Sequence, residues 1–243
     1  VICERLLRRF NVVVELEEPR IPYRETIRGK ADSRYRHKKQ TGGAGQFAEV
    51  WMRVEPAPRD SGVVFTQTLV GTNVDRVFVP SVEKGVRTAC TEGIYAGFRV
   101  VDVKAEFYDG KMHPVDSKDI AFQIAGYFAF KECFLNAQPR LLEPIFTISV
   151  TVPENYLGDI MGDISSRRGH ILGVEADGHF QTVRANIPQK ELYHYSSVVR
   201  SITSGRGRHA EEFSHYADVP PDLEKKLVEE ARLRREAGHN KIA

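Results

Sequence analysis

Residues 38–50 read KKQTGGAGQFAEV, a run that sets Lys38, Lys39, Gln40 and Thr41 directly before Gly42, Gly43 and Gly45. Lysines beside a glycine-rich loop can hold phosphate, because backbone N–H groups converge there and the ammonium adds charge. A nucleotide-binding loop, however, follows a strand, carries its Lys-Ser or Lys-Thr pair after the glycines and opens a helix. Here the lysines come first. From Gln46 to Val54 the chain is β-branched and aromatic with rough two-residue alternation, which predicts a strand. The glycines are therefore expected to permit positive φ at a tight reversal between two extended segments. The result would be a basic hairpin tip with few bulky side chains.

Other residues with chemical potential are scattered. His113 lies in YDGKMHPVDS, where a histidine taken alone is a solvated loop residue, and Asp116 or Ser117 is placed to cap the helix that follows. Asp159 and Asp163 stand four apart on a helix, a spacing that suits a metal or an ordinary polar face. Glu143, His113 and His170 could serve acid–base work, but no spacing pairs them with a nucleophile or with each other. Arg167 and Arg168 fall at a helix C-terminus, where they complement the dipole or bind RNA, and Arg206 and Arg208 flank Gly207 at a helix-to-strand turn. Cys3, Cys90 and Cys133 are far apart and form no CxxC or Cys/His cluster, so neither a zinc site nor a disulfide framework is expected. No catalytic set and no metal site emerges, and a reducing cytoplasm fits the thiols.

The elements that must position these residues follow from periodicity. The 243 residues, 41% hydrophobic and 28% charged with net charge +2, describe ordinary globular domains with room for local basic patches. No apolar run is long enough to span a membrane. VICERLLRRF has helical spacing but no initiator Met or cap, and reads as the middle of a longer chain; the strand-like NVVVELEEPRI follows. Residues 23–39 are polar and basic. Strands are expected over 46–55, 63–71 and 98–108, and a helix with Pro80 in its first turn over 77–96. Asp109-Gly110 reads as a turn, IAFQIAGYFAFKECFLNA as a long apolar helix, and Gln138-Pro139-Arg140 as the domain's end. The remainder gives a strand from Ile145 to Val152, a helix, two strands about Asp177-Gly178, a second helix and a last strand in HAEEFSHYADV. This β-α-β-β-α-β order is ferredoxin-like. A charged helix begins near Pro220. Two compact units are expected over 22–139 and 142–219, with no sheet running through 139–144.

Several ordered stretches resemble the bacterial translation elongation factor G family. YRETIRGKADSRYRHKKQTGGAGQF looks like the opening of its fourth domain, YDGKMHPVDSKDIAFQIAGYFAFKE like that domain's second loop and final helix, and LLEPIFTISVTVPENYLGDIMGDISSRRGHILGVEADG like the start of the fifth; SITSGRGRHAEEFSHYADVP completes it. The resemblance implies an α+β fold in two domains. The fourth, residues 22–140, would be β-rich with βββαβα order, ribosomal-protein-like with a left-handed βαβ; the fifth, 141–219, would be the ferredoxin-like unit. Residues 1–21 would end the third domain, and 220–243 form a C-terminal helix. It further implies that this chain is not itself an enzyme, that GTP and magnesium belong to a domain outside it, and that its partners are the ribosome (rRNA), tRNA and mRNA, acting as a cytoplasmic monomer. By the same resemblance Lys38 to Gln46 and Lys111 to Ser117 are two tip loops facing tRNA and mRNA, with His113 at the functional tip histidine. Arg167, Arg168, Arg206 and Arg208 are candidates to face ribosomal RNA. Thr41 stands where standard members have serine and Ala48 near a glycine-type position, so KKQTGG is closer to divergent second copies of the factor, which serve elongation in some cases and ribosome recycling or regulation in others.

Overall fold

A computed structural model describes residues 2–14, 19–40 and 45–239. The chain divides into two compact units: residues 22–143 with 216–243, and residues 144–215 with 1–21.

In the first unit, β1 (Arg24–Ile27) precedes β2 (Ala31–Lys39), β3 (Gln46–Pro56), β4 (Val63–Gln67), α2 (Val79–Glu92), β5 (Val103–Lys111) and α3 (Asp119–Asn136). β2, β3, β4 and β5 form a four-stranded sheet in the order β2-β3-β5-β4. β2–β3 and β3–β5 are antiparallel, while β4 and β5 run parallel and are joined through α2, giving the expected βββαβα arrangement. One sheet face is buried under the helices by Val50, Met52 and Phe107 packed with Phe122, Phe130 and Phe134. α3 is apolar around most of its circumference because it lies against both the sheet and α2. Small residues set the helix spacing: a Cβ on Gly85 would fall 2.1 Å from the Gln123 carbonyl oxygen, so nothing larger than glycine fits there.

A buried carboxylate fixes the loop after α2. Glu25 is fully buried and accepts four backbone N–H groups, from Ile94, Tyr95, Ala96 and Phe98, at 2.7–2.9 Å. These charge-assisted bonds replace the water the carboxylate loses on burial.

The second unit takes β6 (Pro139–Pro153) from Pro144 onward, α4 (Leu157–Ser166), β7 (His170–Asp177), β8 (Phe180–Pro188), α5 (Tyr195–Ile202) and β9 (Arg208–Asp218) up to His215. The pairing β9-β6-β8-β7 is the ferredoxin-like order predicted from the sequence. Ile148, Val150, Val183 and Ile187 pack with Ile160 and Ile164 of α4 and Val199 of α5 to form its core. Gly178 takes φ +59° in the β7–β8 turn, as its place after Asp177 requires.

Five expectations need correction. The expected break in the sheet over 139–144 is absent: β6 runs unbroken through Pro144, with Arg24–Ile27 paired to 139–142 and β8 paired from Ile145 onward. Pro144 falls between the two paired stretches, where neither β1 nor β8 needs its missing N–H. α6 (Pro221–His239), at the place of the expected C-terminal helix, groups with residues 22–143. Its buried Glu224 accepts from Leu141 N–H at 3.2 Å and Arg140 Nη1 at 3.1 Å, and Val219 N–H donates to the Leu141 carbonyl. The segment after α1 (Ile2–Phe10) is not a strand over 11–14: Asn11 adopts φ 53°, and its N–H and that of Val12 close the helix onto Leu7 and Leu6. Residues 15–18 of that expected strand lie outside the described residues. Asp109-Gly110 is not a turn but lies inside β5, beside a register shift at Trp51/Met52. The remaining two corrections, to the cap of α3 and to the backbone of Gly45, belong to the site.

Candidate nucleic-acid interface

β2 ends, β3 begins and β5 ends at the same edge of the four-stranded sheet, since Lys39 is registered with Gln46 and Glu49 with Lys111. The β2–β3 connection and the loop after β5 are therefore neighbours by topology. Specific bonds then join them. Ser117 Oγ donates to the Phe47 carbonyl at 2.8 Å and accepts the His113 N–H at 2.8 Å. Phe47 N–H donates to the Asp116 carbonyl at 3.0 Å, and the Phe47 ring meets the His113 ring edge-on at 6.3 Å. One serine hydroxyl thus spans both loops.

This arrangement corrects the capping expectation. The N-cap of α3 is Lys118, with no side-chain capping bond, and neither Asp116 nor Ser117 caps the helix. Ser117 reaches Phe47, seventy positions away, instead of its own helix. The Asp116 carboxylate lies 3.4 Å from His113 Nδ1 and occupies the space where a Gly45 Cβ would sit, 2.8 Å away. A side chain at Gly45 would have to displace the Asp116 carboxylate, and Gly45 does not take positive φ, contrary to the sequence reading. Thr41, Gly42 and Gly43 lie outside the described residues, so the same expectation for them has no structural counterpart.

His113 is half exposed, and its Nδ1 accepts the N–H groups of Asp116 at 3.2 Å and Val115 at 3.4 Å. A neutral imidazole whose Nδ1 accepts carries its proton on Nε2, which leaves a donor for an incoming acceptor such as a phosphate or 2′-hydroxyl oxygen. Lys38, Lys39, Gln40 and Lys111 are exposed around it. Gln46 is half-buried and its Oε1 meets His37 Nε2 at 3.0 Å, so it braces the hairpin. Below the tip, Glu49 is buried at 6% exposure between Trp51 Nε1 at 2.8 Å and Arg36 Nε at 2.7 Å. Burial alone would raise its pKa, but the bonds from Trp51 and Arg36, with the charges of Arg36 and Lys111, outweigh burial and hold it below the usual range.

A third segment joins the two predicted loops. Met112 N–H donates to the Asn73 carbonyl, Asn73 Nδ2 reaches Asp109 Oδ1 at 3.4 Å, and Asp75 N–H meets Met112 Sδ. The polar GTNVD run after β4 is the only sequence signal for this loop, and it marks a turn without a location.

The four arginines of the other unit do not form one patch. Arg167 is committed: Nε binds Asp163 at 2.9 Å, Nη1 binds the Glu191 carbonyl at 2.9 Å, and the guanidinium stacks over Tyr195 at 5.1 Å. Arg168 takes φ 58° and reaches Glu191 at 3.6 Å. Both lie at the C-terminal end of α4, whereas Arg206 packs on Tyr156 at its N-terminal end, about 15 Å away along the ten-residue helix. Arg208, the first residue of β9, is exposed. Asp163 is held by Arg167, so the Asp159/Asp163 pair is not a free dicarboxylate. Among the described residues no three His, Cys, Asp or Glu side chains group as metal ligands, and no helix is long and apolar enough to cross a membrane.

Comparison with known proteins places this geometry. Residues 19–138 match the family description "Elongation factor G, domain IV", and residues 140–227 match "Elongation factor G C-terminus". The chain is 44% identical over 230 residues to "Elongation factor G" of Aquifex pyrophilus, covering 95% of this chain and 33% of that protein. It is 47% identical over 233 residues to "Elongation factor G-like protein" of Thermotoga maritima, covering 96% of this chain and 34% of that one. A crystal structure of a Thermus thermophilus protein superposes with TM-score 0.85 at 42% identity, over 95% of this chain and 34% of the other. The chain thus spans about a third of the length of these relatives. By the two matched regions and these identities over nearly its whole length, the chain belongs to the elongation factor G family of translation elongation factors, in its domain IV and C-terminal region.

Proposed function

We propose that this chain is the ribosome-engaging part of an elongation factor G-type translational GTPase and promotes movement of tRNA and mRNA, with the tip of its first unit contacting those RNAs. The observation that carries the reading is the fastening of the His113–Ser117 loop to Phe47, which sets the exposed His113 at the same end of the sheet as the exposed Lys38, Lys39 and Lys111. Phosphate contacts from such a tip position an RNA, and a small rigid end enters a narrow groove where a broad one would clash. Asp116 and Ser117 hold the loop, and Gly45 lets it approach β3. Lys38, Lys39 and Gln40, at the end of β2, would contact the same RNA, and the sequence adds Thr41, Gly42 and Gly43 to that set. The ferredoxin-like unit would meet large-subunit rRNA through Arg168, Arg206 and Arg208, with Arg167 bracing the loop behind them.

GTP and magnesium belong, on this reading, to parts of the parent outside this chain. The residue order does not fit a nucleotide-binding loop: Lys38 and Lys39 precede the glycines, and the chain continues from Gln46 into β3 rather than into a helix. The chain would act without catalytic chemistry of its own, as a monomer in the cytoplasm. A second reading, a paralogue serving ribosome recycling or regulation, rests on one observation, the departure of KKQTGG from standard members of the family at Thr41. Assaying the full-length parent for single-round translocation and for subunit splitting separates the two. Translocation without splitting supports the first, and splitting without translocation replaces it with the second.

A further inference from the structure

The outer face of the four-stranded sheet, opposite α2 and α3, has a composition that the tip does not explain. Along the edge strand β2, exposure alternates with period two, so Asp32, Arg34, Arg36 and Lys38 share the outer face while Ser33 and Tyr35 turn toward α3. The row is acidic at Asp32 and basic from Arg34 to Lys38, and successive positions lie about 6.8 Å apart along an extended strand. Behind it stands an aromatic ladder. Arg34 is registered with Trp51 and its guanidinium lies 3.9 Å from the indole centroid. Trp51 meets Tyr108 edge-on at 6.2 Å, and Arg53 lies 4.4 Å over the Tyr108 ring.

Most charges on this face are already paired. Arg36 is bound to Glu49, Arg53 reaches Glu106 at 3.5 Å, and Lys30 and Lys104 share Glu55 at 2.9 Å each. Asp32, Arg34 and Lys38 have no ion pair among the described residues, and of these Arg34 has the Trp51 ring as its partner. Its donors therefore remain available outward. Guanidinium planes spread over aromatic rings on an open strand surface suit a single-stranded nucleic acid, which needs cations for its backbone and flat surfaces for its bases.

We propose that this open face, centred on Arg34, Trp51 and Tyr108 and continuing through Lys38 to the tip, is a second RNA-binding surface that holds a single-stranded RNA segment. It shares with the tip reading the premise that the partner is RNA, but it uses other residues. Charge complementarity selects this occupant: the basic row runs without an unpaired acid from Arg34 to the tip.

The chain contains a single tryptophan, Trp51, so its fluorescence reports on this face alone. Titration of the whole chain with short single-stranded oligouridine RNA at low salt should give saturable Trp51 quenching that weakens as salt rises. Arg34→Ala should weaken binding and lower the salt slope by about 0.7, the share of one phosphate contact on a single strand. Lys84→Ala, which removes an exposed cation on α2 behind the sheet, should leave the quenching unchanged. Arg53→Ala serves as a second variant, because its guanidinium covers the neighbouring ring. If labelled oligouridine binds by anisotropy without quenching Trp51, or if Arg34→Ala and Arg53→Ala both quench like the parent chain, the face is not the RNA surface. Absence of any oligouridine binding also overturns it. The tip reading is judged separately by translocation in the full-length factor, so failure of one is not failure of the other.

Discussion

Removing the Ser117 hydroxyl tests how the tip is held. In Ser117→Ala the Phe47 carbonyl loses its donor at 2.8 Å and the His113 N–H loses its acceptor at 2.8 Å. Each such bond contributes about 0.5–1.5 kcal/mol net, and water reaches this half-buried position, so the combined loss is about 1–2 kcal/mol. Because the bonds join loops and not core strands, the effect should appear as local opening. A loss of about 1–2 kcal/mol corresponds to a factor of roughly 5–30 in an opening equilibrium. Hydrogen exchange read by NMR should show the amides of Phe47, His113 and Ser117 exchanging faster by about that factor, with Val50, Met52 and Phe130 unchanged. Ser117→Thr, which keeps the hydroxyl, should restore much of the protection. If Phe47 exchanges at the parent rate in Ser117→Ala, or if the core amides accelerate equally, the hydroxyl does not fasten the two loops.

Other expectations follow from neighbouring geometry. Gly45→Val should push the Asp116 carboxylate away from His113 and destabilise the unit by about 1–3 kcal/mol, as overpacking does, measurable by urea unfolding. Glu224→Ala should cost about 1–3 kcal/mol by leaving the Leu141 N–H and Arg140 unsatisfied, and proteolysis should then reach α6 first. Acid should weaken the first unit. Hydrogen bonds from Lys104 and then Lys30 lower the Glu55 pKa from 4.5 to about 2, so its contribution is present above pH 4.5 and fades as pH falls toward 2; Glu55→Gln should flatten part of that slope in urea midpoints. The Cys133 and Cys90 thiols, pushed up to about 12 by burial, should stay unmodified by a thiol reagent until the unit unfolds.

Much of the fold was legible because periodicity and turn chemistry agreed with the final topology. The β-α-β-β-α-β unit followed from strand and helix patterns and from Asp177-Gly178, and the βββαβα order came with the family resemblance and the β3 and α3 patterns. Local rules failed where a distant partner decided the outcome. Asp116 and Ser117 have the residue types of helix caps, yet Ser117 is taken by Phe47 and α3 starts at Lys118 without a capping side chain. Pro139 and Pro144 look like strand breakers, but neither stops β6, and Pro144 sits where β1 and β8 leave its nitrogen unpaired. Glu25 read as one acid in a basic stretch, because nothing local announces four backbone donors some seventy residues away. The ladder of Arg34, Trp51 and Tyr108 was invisible for the same reason: its members come from three strands brought into register only by the sheet.

The central claim is that the tip acts on tRNA and mRNA while nucleotide chemistry belongs elsewhere in the parent. It is tested most directly by comparing two rates in the full-length factor carrying His113→Ala. His113 is exposed, so water can replace its Nδ1 as acceptor and its loss should cost about 1 kcal/mol or less, confined to the loop; urea unfolding of the variant checks that folding does not confuse the comparison. Single-round translocation should slow while GTP hydrolysis on the ribosome stays near the parent rate. Translocation at the parent rate, or a fall in hydrolysis as large as the fall in translocation, would contradict the account.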